Sequence, residues 1–250
     1  MSGLTESFVV AAFLAFCRIG GCFMIMPGLS SARVPTQVRL FVAIAATGAL
    51  LMHLWDQILP FASREPAILV PMVISELLTG GLIGLVARLY MLALQFIGSG
   101  ITMLIGLGGG AAPGIESGEP QSALGDIISL SALLLLFVFD FHHDIVRALV
   151  RSYEIAPVNV FFDPRRALVD VTDTLGESFL IALRLGSPFV AYAILVNLSI
   201  GFVNKLTPQI PVYFISLPMV IAGGLILFYF AVATMLRLFA DGFLPTVLGV

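Results

Sequence analysis

Four charged side chains, Arg18, Glu76, Arg88 and Arg184, lie inside long apolar runs. Carrying a charge into hydrocarbon costs about 2.5–3.5 kcal/mol even on lenient insertion scales. Such groups mark helices packed on partners or around a wet path, rather than simple lipid anchors. The chain is therefore expected to place its apolar helices against protein as much as against lipid.

Composition fixes the setting. Of 250 residues, 59% are hydrophobic and 11% charged, and the mean hydropathy is +1.08. Soluble domains carry about 25% charged residues, so this pool cannot clothe a water-exposed globule. A net charge of −3, with no basic run beyond Arg165–Arg166, leaves no footprint for nucleic acid. Lys205 is the only lysine. The weaker hydration of arginine and its five-donor fork suit charges that stay in contact with protein.

Catalytic and metal chemistry find little to stand on. Cys17 and Cys22 are five residues apart, about 140° around a helix, so neither a disulfide nor a metal site follows, and both read as small buried apolar groups. His53, His142 and His143 show no ligand constellation, and interfacial or capping roles are expected of them. No HExxH or GxSxG occurs, the carboxylates are scattered, and no histidine is near Ser75, Glu76 or Ser199 in sequence. No catalytic residue, cofactor or metal is expected. Residues 1–7 lack a basic segment and the apolar stretch after them is broken by Arg18, so this stretch is expected to remain in the mature chain rather than be cleaved as a signal.

Hydropathy marks six apolar blocks, about 8–26, 40–59, 67–97, 124–141, 175–203 and 212–239, within a single expected domain over 1–250. A helix needs about 20 residues to cross about 30 Å of hydrocarbon. Blocks 67–97 and 175–203 exceed that. Pro71 with Gly80–Gly81 in the first, and Pro188 in the second, predict bent or hairpin-forming helices. Orientation is weakly marked. With the N-terminus inside, the inner connections hold five Lys or Arg and the outer ones three, a slight bias by the positive-inside rule. Either the sample is small or the chain does not thread the bilayer as six independent spans. Segment 142–174 is the most polar and reads as a water-exposed connection, with a short amphipathic helix at 143–152, a turn at Asp163–Pro164 and a further helix from about Arg165. No internal repeat is found.

Two segments invite function. The Gly-rich loop 106–123 contains Gly106, Gly108, Gly109, Gly110, Pro113, Gly114, Gly118 and Pro120, with only Glu116 and Glu119 charged. Glycine and proline oppose a regular helix, and bare backbone in lipid is costly, so the loop must meet water or protein. It lacks the Lys-Ser/Thr pair of a phosphate loop. It is either a floppy connection or a small-residue loop lining or closing a pore. Along the third block, Glu76, Gly80, Gly84 and Arg88 recur every four residues. Gly80 and Gly84 permit close helix approach. Glu76 and Arg88 lie about 18 Å apart on such a helix, so each needs a partner elsewhere, either within the chain or on another subunit.

With these segments laid out, the chain resembles the FliR/SpaR family of type III secretion export-gate proteins over nearly its whole length. Arg18, Pro27–Gly28, Pro35 and Arg39 are similar to the family's N-terminal pattern, and the Glu76–Gly80–Gly84 stripe with the Gly-rich loop to its middle section. The stretch Phe141 to Pro157 resembles its His, Ala-Leu, Ser-Phe/Tyr, Pro segment. Asn197, Gly201 and Thr207 to Pro218 resemble its late Pro-Gln element. Glu119–Pro120 stands where Asp-Pro is frequent, and Pro211 where Asn is usual.

The resemblance implies an all-α fold of membrane-associated helical hairpins with long bent helices, part of a spiral hetero-oligomeric gate. It implies FliP-like and FliQ-like partners, other export-apparatus membrane proteins, surrounding lipid and unfolded proteins in transit. It places the chain in the bacterial inner membrane at the flagellar basal body, with the Gly-rich loop as an inner plug of the closed gate. Arg18, Glu76, Gly80, Gly84, Arg88 and Arg184 are then expected at helix-packing or subunit interfaces. A virulence-type gate and an independent small-molecule transporter are the alternative readings.

Overall fold

Long runs of Ala, Leu, Ile, Phe and Gly with few turn formers favour helices, which satisfy their own backbone without water. The computed structural model describes residues 2–31, 33–61, 65–108, 111–113 and 120–248. Among the described residues there are seven α-helices: α1 Ser2–Ile25, α2 Thr36–Ile58, α3 Pro66–Leu104, α4 Ala123–Val138, α5 Phe141–Ile155, α6 Pro164–Leu206 and α7 Val212–Leu248. The fold is all-α; its only strands among the described residues are β1 Ala111–Pro113 and β2 Pro120–Ser122, three residues each.

Local chemistry sets several boundaries. Gly106, at φ +84, closes α3. Its N–H bonds the Met103 carbonyl at 3.2 Å, and the Leu107 N–H bonds the Thr102 carbonyl at 2.9 Å, the paired bonds of a Schellman stop. At α6 the Asp163 carboxylate accepts from the Arg165 N–H at 2.9 Å, with Pro164 at the first helical position where its missing N–H costs nothing. Arg39 ties the turn between α1 and α2 by donating to the carbonyls of Ser31, at 2.6 Å, and Val34.

The long blocks do not double back. Blocks 67–97 and 175–203 each lie within one unbroken helix, α3 of 39 residues and α6 of 43, with Pro71 and Pro188 inside them. Gly80–Gly81 makes no turn, because the missing side chains admit α1 instead. Hairpins form between successive helices, as where Ala11, Leu14 and Ala15 of α1 pack with Leu51, Leu54 and Ile58 of α2. Block 124–141 is shorter than a straight span. α4 has 16 residues, about 24 Å, and the chain then bends by 66° into α5.

Within segment 142–174 the expected amphipathic helix runs as α5, and a further helix starts at Pro164 after the turn, with most of the segment's side chains exposed. On α5, Phe141, Ile145, Leu149, Ser152 and Tyr153 are buried, a stripe at helical spacing.

Packing divides the chain into two compact units that interleave in sequence. The first comprises Met1–Tyr90, Phe137–Leu175 and Phe243–Val250, the second Met91–Leu136 and Gly176–Gly242. In the first, α1 and α2 run antiparallel, Tyr153 and Val158 complete their core, and α1 runs parallel to α3, Arg18 meeting Gly80 and Cys22 meeting Gly84. In the second, α6 and α7 run antiparallel: Phe189 lies beside Phe228 at 6.4 Å, and Tyr192 donates to the Val220 carbonyl at 2.7 Å.

Among the described residues, five stretches are long and apolar enough to cross a membrane: Glu6–Ile25, Thr36–Phe61, Pro66–Leu104, Pro164–Leu206 and Val212–Gly242; counted as one span, the bent α4–α5 pair makes a sixth.

Candidate functional site

The inward stripe of α1 runs Ala11, Leu14, Ala15, Arg18, Ile19 and Cys22, all buried. Arg18 is thus carried into the first unit by helical spacing alone. Its Nε and Nη2 donate to Oε2 and Oε1 of Glu76 on α3, at 2.6 Å each. Nη1 donates to Ser152 Oγ at 3.1 Å, and Nη2 also to the Ala156 carbonyl at the end of α5 at 2.8 Å. The guanidinium carbon stands 3.9 Å from the centre of the Tyr153 ring. Both side chains of the ion pair are 1% exposed, so the charges are met by protein and not by water.

Neighbouring bonds hold this clamp. The Ser152 hydroxyl donates to the Leu149 carbonyl at 2.6 Å. Ser75, beside Glu76, accepts from the Phe162 N–H at 2.8 Å. A bidentate arginine–carboxylate pair is among the strongest of charge-assisted contacts, and a cation suits the carbonyl end of a helix. Arg18 thereby fastens α1, α3 and α5 together. Glu76 finds its partner 58 residues away, within the chain.

Gly80 and Gly84 serve the same junction. A Cβ on Gly80 would overlap the Arg18 carbonyl, and one on Gly84 would stand 2.6 Å from the Cys22 carbonyl oxygen. From α1, Gly21 meets the Leu77 carbonyl at 2.8 Å in the same sense. Backbone meets backbone, so the small-residue face is used inside the chain. Arg88 is half-buried and Arg184 exposed, and neither has an ion-pair partner among the described residues. Sequence reasoning missed Ser152, Tyr153 and Ala156 as parts of the clamp; the signal was the apolar stripe of α5, which turns Ser152 and Tyr153 inward.

The Gly-rich loop is tied at its base, in the second unit. Thr102 and Ser122 hydroxyls lie 2.7 Å apart, and Ser122 Oγ caps α4 by accepting from the Gly125 N–H at 3.1 Å. β1 and β2 pair antiparallel, Pro113 facing Pro120. Gly106 is the helix stop and Gly108 is exposed. Gly109, Gly110, Gly114 and Gly118 lie outside the described residues.

The chain is similar to the flagellar biosynthetic protein FliR of Caulobacter vibrioides, 28% identical over 233 residues, covering 93% of this chain and 92% of the relative. It is 26% identical to FliR of Aquifex aeolicus, covering 89% of this chain and 85% of the relative, and 26% identical to FliR of Bacillus subtilis, covering 87% and 84%. The model of the family described as bacterial export proteins, family 1, matches residues 9–245. The chain belongs to that family and is a multi-pass inner-membrane component of the flagellar type III export apparatus.

Proposed function

We propose that the chain assembles with FliP-like and FliQ-like subunits into a spiral of helical hairpins around a pore, and that unfolded proteins pass through this pore on export. The observation that carries this reading is helix length. α3, α6 and α7 have 39, 43 and 37 residues, about 58, 64 and 55 Å at 1.5 Å per residue. Hydrocarbon is about 30 Å thick, and fitting α6 inside it would need a tilt of about 60°, beyond the usual range of 0–40°. Yet large apolar side chains stay exposed along these helices, from Leu168 and Leu175 through Ile194 to Leu206 on α6, about 57 Å, and from Tyr213 to Leu238 on α7, about 37 Å. Apolar surface reaching past the lipid needs sister subunits to cover it. Arg88 and Arg184 would meet acceptors on such neighbours.

The loop 106–123 would close the resting pore. Its base is fixed through Thr102 and Ser122, and its glycine-rich sequence would let it pack against unlike neighbours without a specific contact to break. The chain acts as a conduit and does no covalent chemistry; the proton motive force and partner proteins supply the energy. An independent transporter would need its intramembrane charges to converge on a substrate, whereas Arg18 and Glu76 are spent on each other.

Deleting Gly108–Ala112 should raise ion leak while the assembly still co-purifies; unchanged leak would count against a plug. Cysteine at Gly109 or Gly114 should crosslink to a stalled export substrate. Extraction of the chain as a stable monomer, free of FliP-like and FliQ-like partners, would overturn the assembly itself.

A further inference from the structure

At the bend between α4 and α5, Asp140 holds a left-handed backbone, φ +58, and is the one non-glycine residue with positive φ among those described. Aspartate visits this region more readily than most residues, but surrounding structure must hold it there. The bend gathers three potential ligands in the first unit. One ligand atom from each of Asp140, His142 and His143 lies within 4.8 Å of the others. His143 Nδ1 is 3.4 Å from Asp140 Oδ1, and the two imidazole centres are 4.1 Å apart. Phe137 stacks on His142 at 5.6 Å and limits its ring. His142 Nδ1 is buried without a hydrogen-bond partner among the described residues. Buried polar atoms are nearly always satisfied, so an orphan asks for a water or an ion.

We propose that Asp140, His142 and His143 bind a divalent transition-metal ion, zinc foremost, at this bend. Two imidazoles and one carboxylate suit such cations, whereas calcium and magnesium take oxygen ligands. Ligand atoms on a tetrahedral zinc sit roughly 3.3 Å apart, given bonds of about 2.0–2.1 Å. Closing from the present spacing takes side-chain adjustment only, and Asp140 and His143 are both exposed and able to make it. Asp144 is engaged by Arg147 at 3.0 Å and does not compete. Three protein ligands leave a further position for water or for a donor from a neighbour. The ion would hold the bend by joining Asp140 to the first turn of α5.

The test uses the full-length chain within the detergent-solubilised assembly it co-purifies with, without a histidine tag, stripped with a chelator and titrated with Co²⁺ as the optical probe, one equivalent being counted per copy of this chain and assigned by the variants below. One equivalent should bind at micromolar concentration or below, with visible d–d bands that Zn²⁺ abolishes. Asp140→Asn, which keeps a side chain tolerant of left-handed backbone, should weaken binding by about 10-fold or more. His142→Phe, which preserves the stack on Phe137, and His143→Ala should do the same, while His53→Gln should change nothing. Circular dichroism checks helicity in each variant, and Asp140→Asn decides alone if a histidine variant loses it. Binding only at millimolar Co²⁺, or equal affinity in wild type and Asp140→Asn, would overturn the proposal.

Discussion

The two units of this chain solve burial differently. In the first, a buried guanidinium and carboxylate lock three helices, and glycines sit against backbone carbonyls. In the second, no charged side chain is buried among the described residues. Three of its glycines, 186, 223 and 242, face the far ends of side chains, Ile97 Cδ1, Tyr192 Oη and Ile181 Cδ1, while Gly224 meets Ile105 at its branched Cβ and Gly98 faces the backbone of Gly125. Directional contacts to backbone fix one arrangement, whereas flexible tips can give way. The first unit is thus specified from within, and the second keeps latitude that neighbours in an assembly can use.

The harshest way to break this comparison is to remove one member of the clamp. Glu76→Ala would leave Arg18 buried without a counter-charge, and losing one partner of a buried pair costs about 3–5 kcal/mol. The expected outcome is a chain that is degraded or unfolds early, read as steady-state level in membranes and thermal stability in detergent. The double variant Arg18→Met with Glu76→Leu should recover much of that loss, since apolar replacement of a buried pair is often neutral or better. Equal stability of Glu76→Ala and wild type would show that the clamp does not hold the first unit.

Next in size is the glycine contrast. Gly84→Leu drives a side chain into the Cys22 backbone, and overpacking of this kind costs about 1–3 kcal/mol or more. Gly242→Ala meets Ile181 Cδ1 at 2.5 Å, a tip that can rotate away, so a change below about 1 kcal/mol is expected. Melting of the two variants in the same detergent measures the difference. Matching losses would mean that the units do not differ in this way.

How far the sequence foretold these features depends on whether each rests on local or distant contacts. The helices, the stop at Gly106 and the start at Pro164 follow from nearby residues, and the spacing of α1 turns Arg18 inward. That Glu76, and not another group, answers Arg18 needs contacts 58 residues apart, which periodicity does not encode. The bend at Asp140 was hidden because apolar residues run up to it and Phe141 follows. The short ribbon was hidden because Pro113 and Pro120 argue against strands; in a two-stranded ribbon both strands are edges, where proline is tolerated. In 142–174 the amphipathic helix and the turn before Pro164 follow from local pattern, whereas the helices that α5 packs against lie far off in sequence.

In the second unit, Tyr192 ties α6 to α7, donating to the Val220 carbonyl at 2.7 Å. Tyr192→Phe should cost about 0.5–1.5 kcal/mol. The same hydroxyl would stand 2.5 Å from a Cβ on Gly223, so Gly223→Ala should be better tolerated in the Tyr192→Phe background than alone. Additive losses in this double-mutant cycle would place the obstacle at Gly223 elsewhere.

The smallest effect belongs to the first unit and sharpens what its rigidity rests on. Arg147 and Asp144 form an ion pair at 3.0 Å, with Arg147 76% exposed. Water screens the Arg147 charge, and ordering two side chains offsets most of the attraction, so such a pair contributes about 0–1 kcal/mol. Arg147→Ala should therefore shift the melting temperature barely at all, and less still in high salt. Arg18 and Arg147 lie in one unit and each meets a carboxylate, yet they differ in burial and in the number of helices they join. If Arg147→Ala proved as damaging as Glu76→Ala, charge pairing in general would support the unit; if it is silent, the support lies in the desolvated, multiply bonded guanidinium of Arg18.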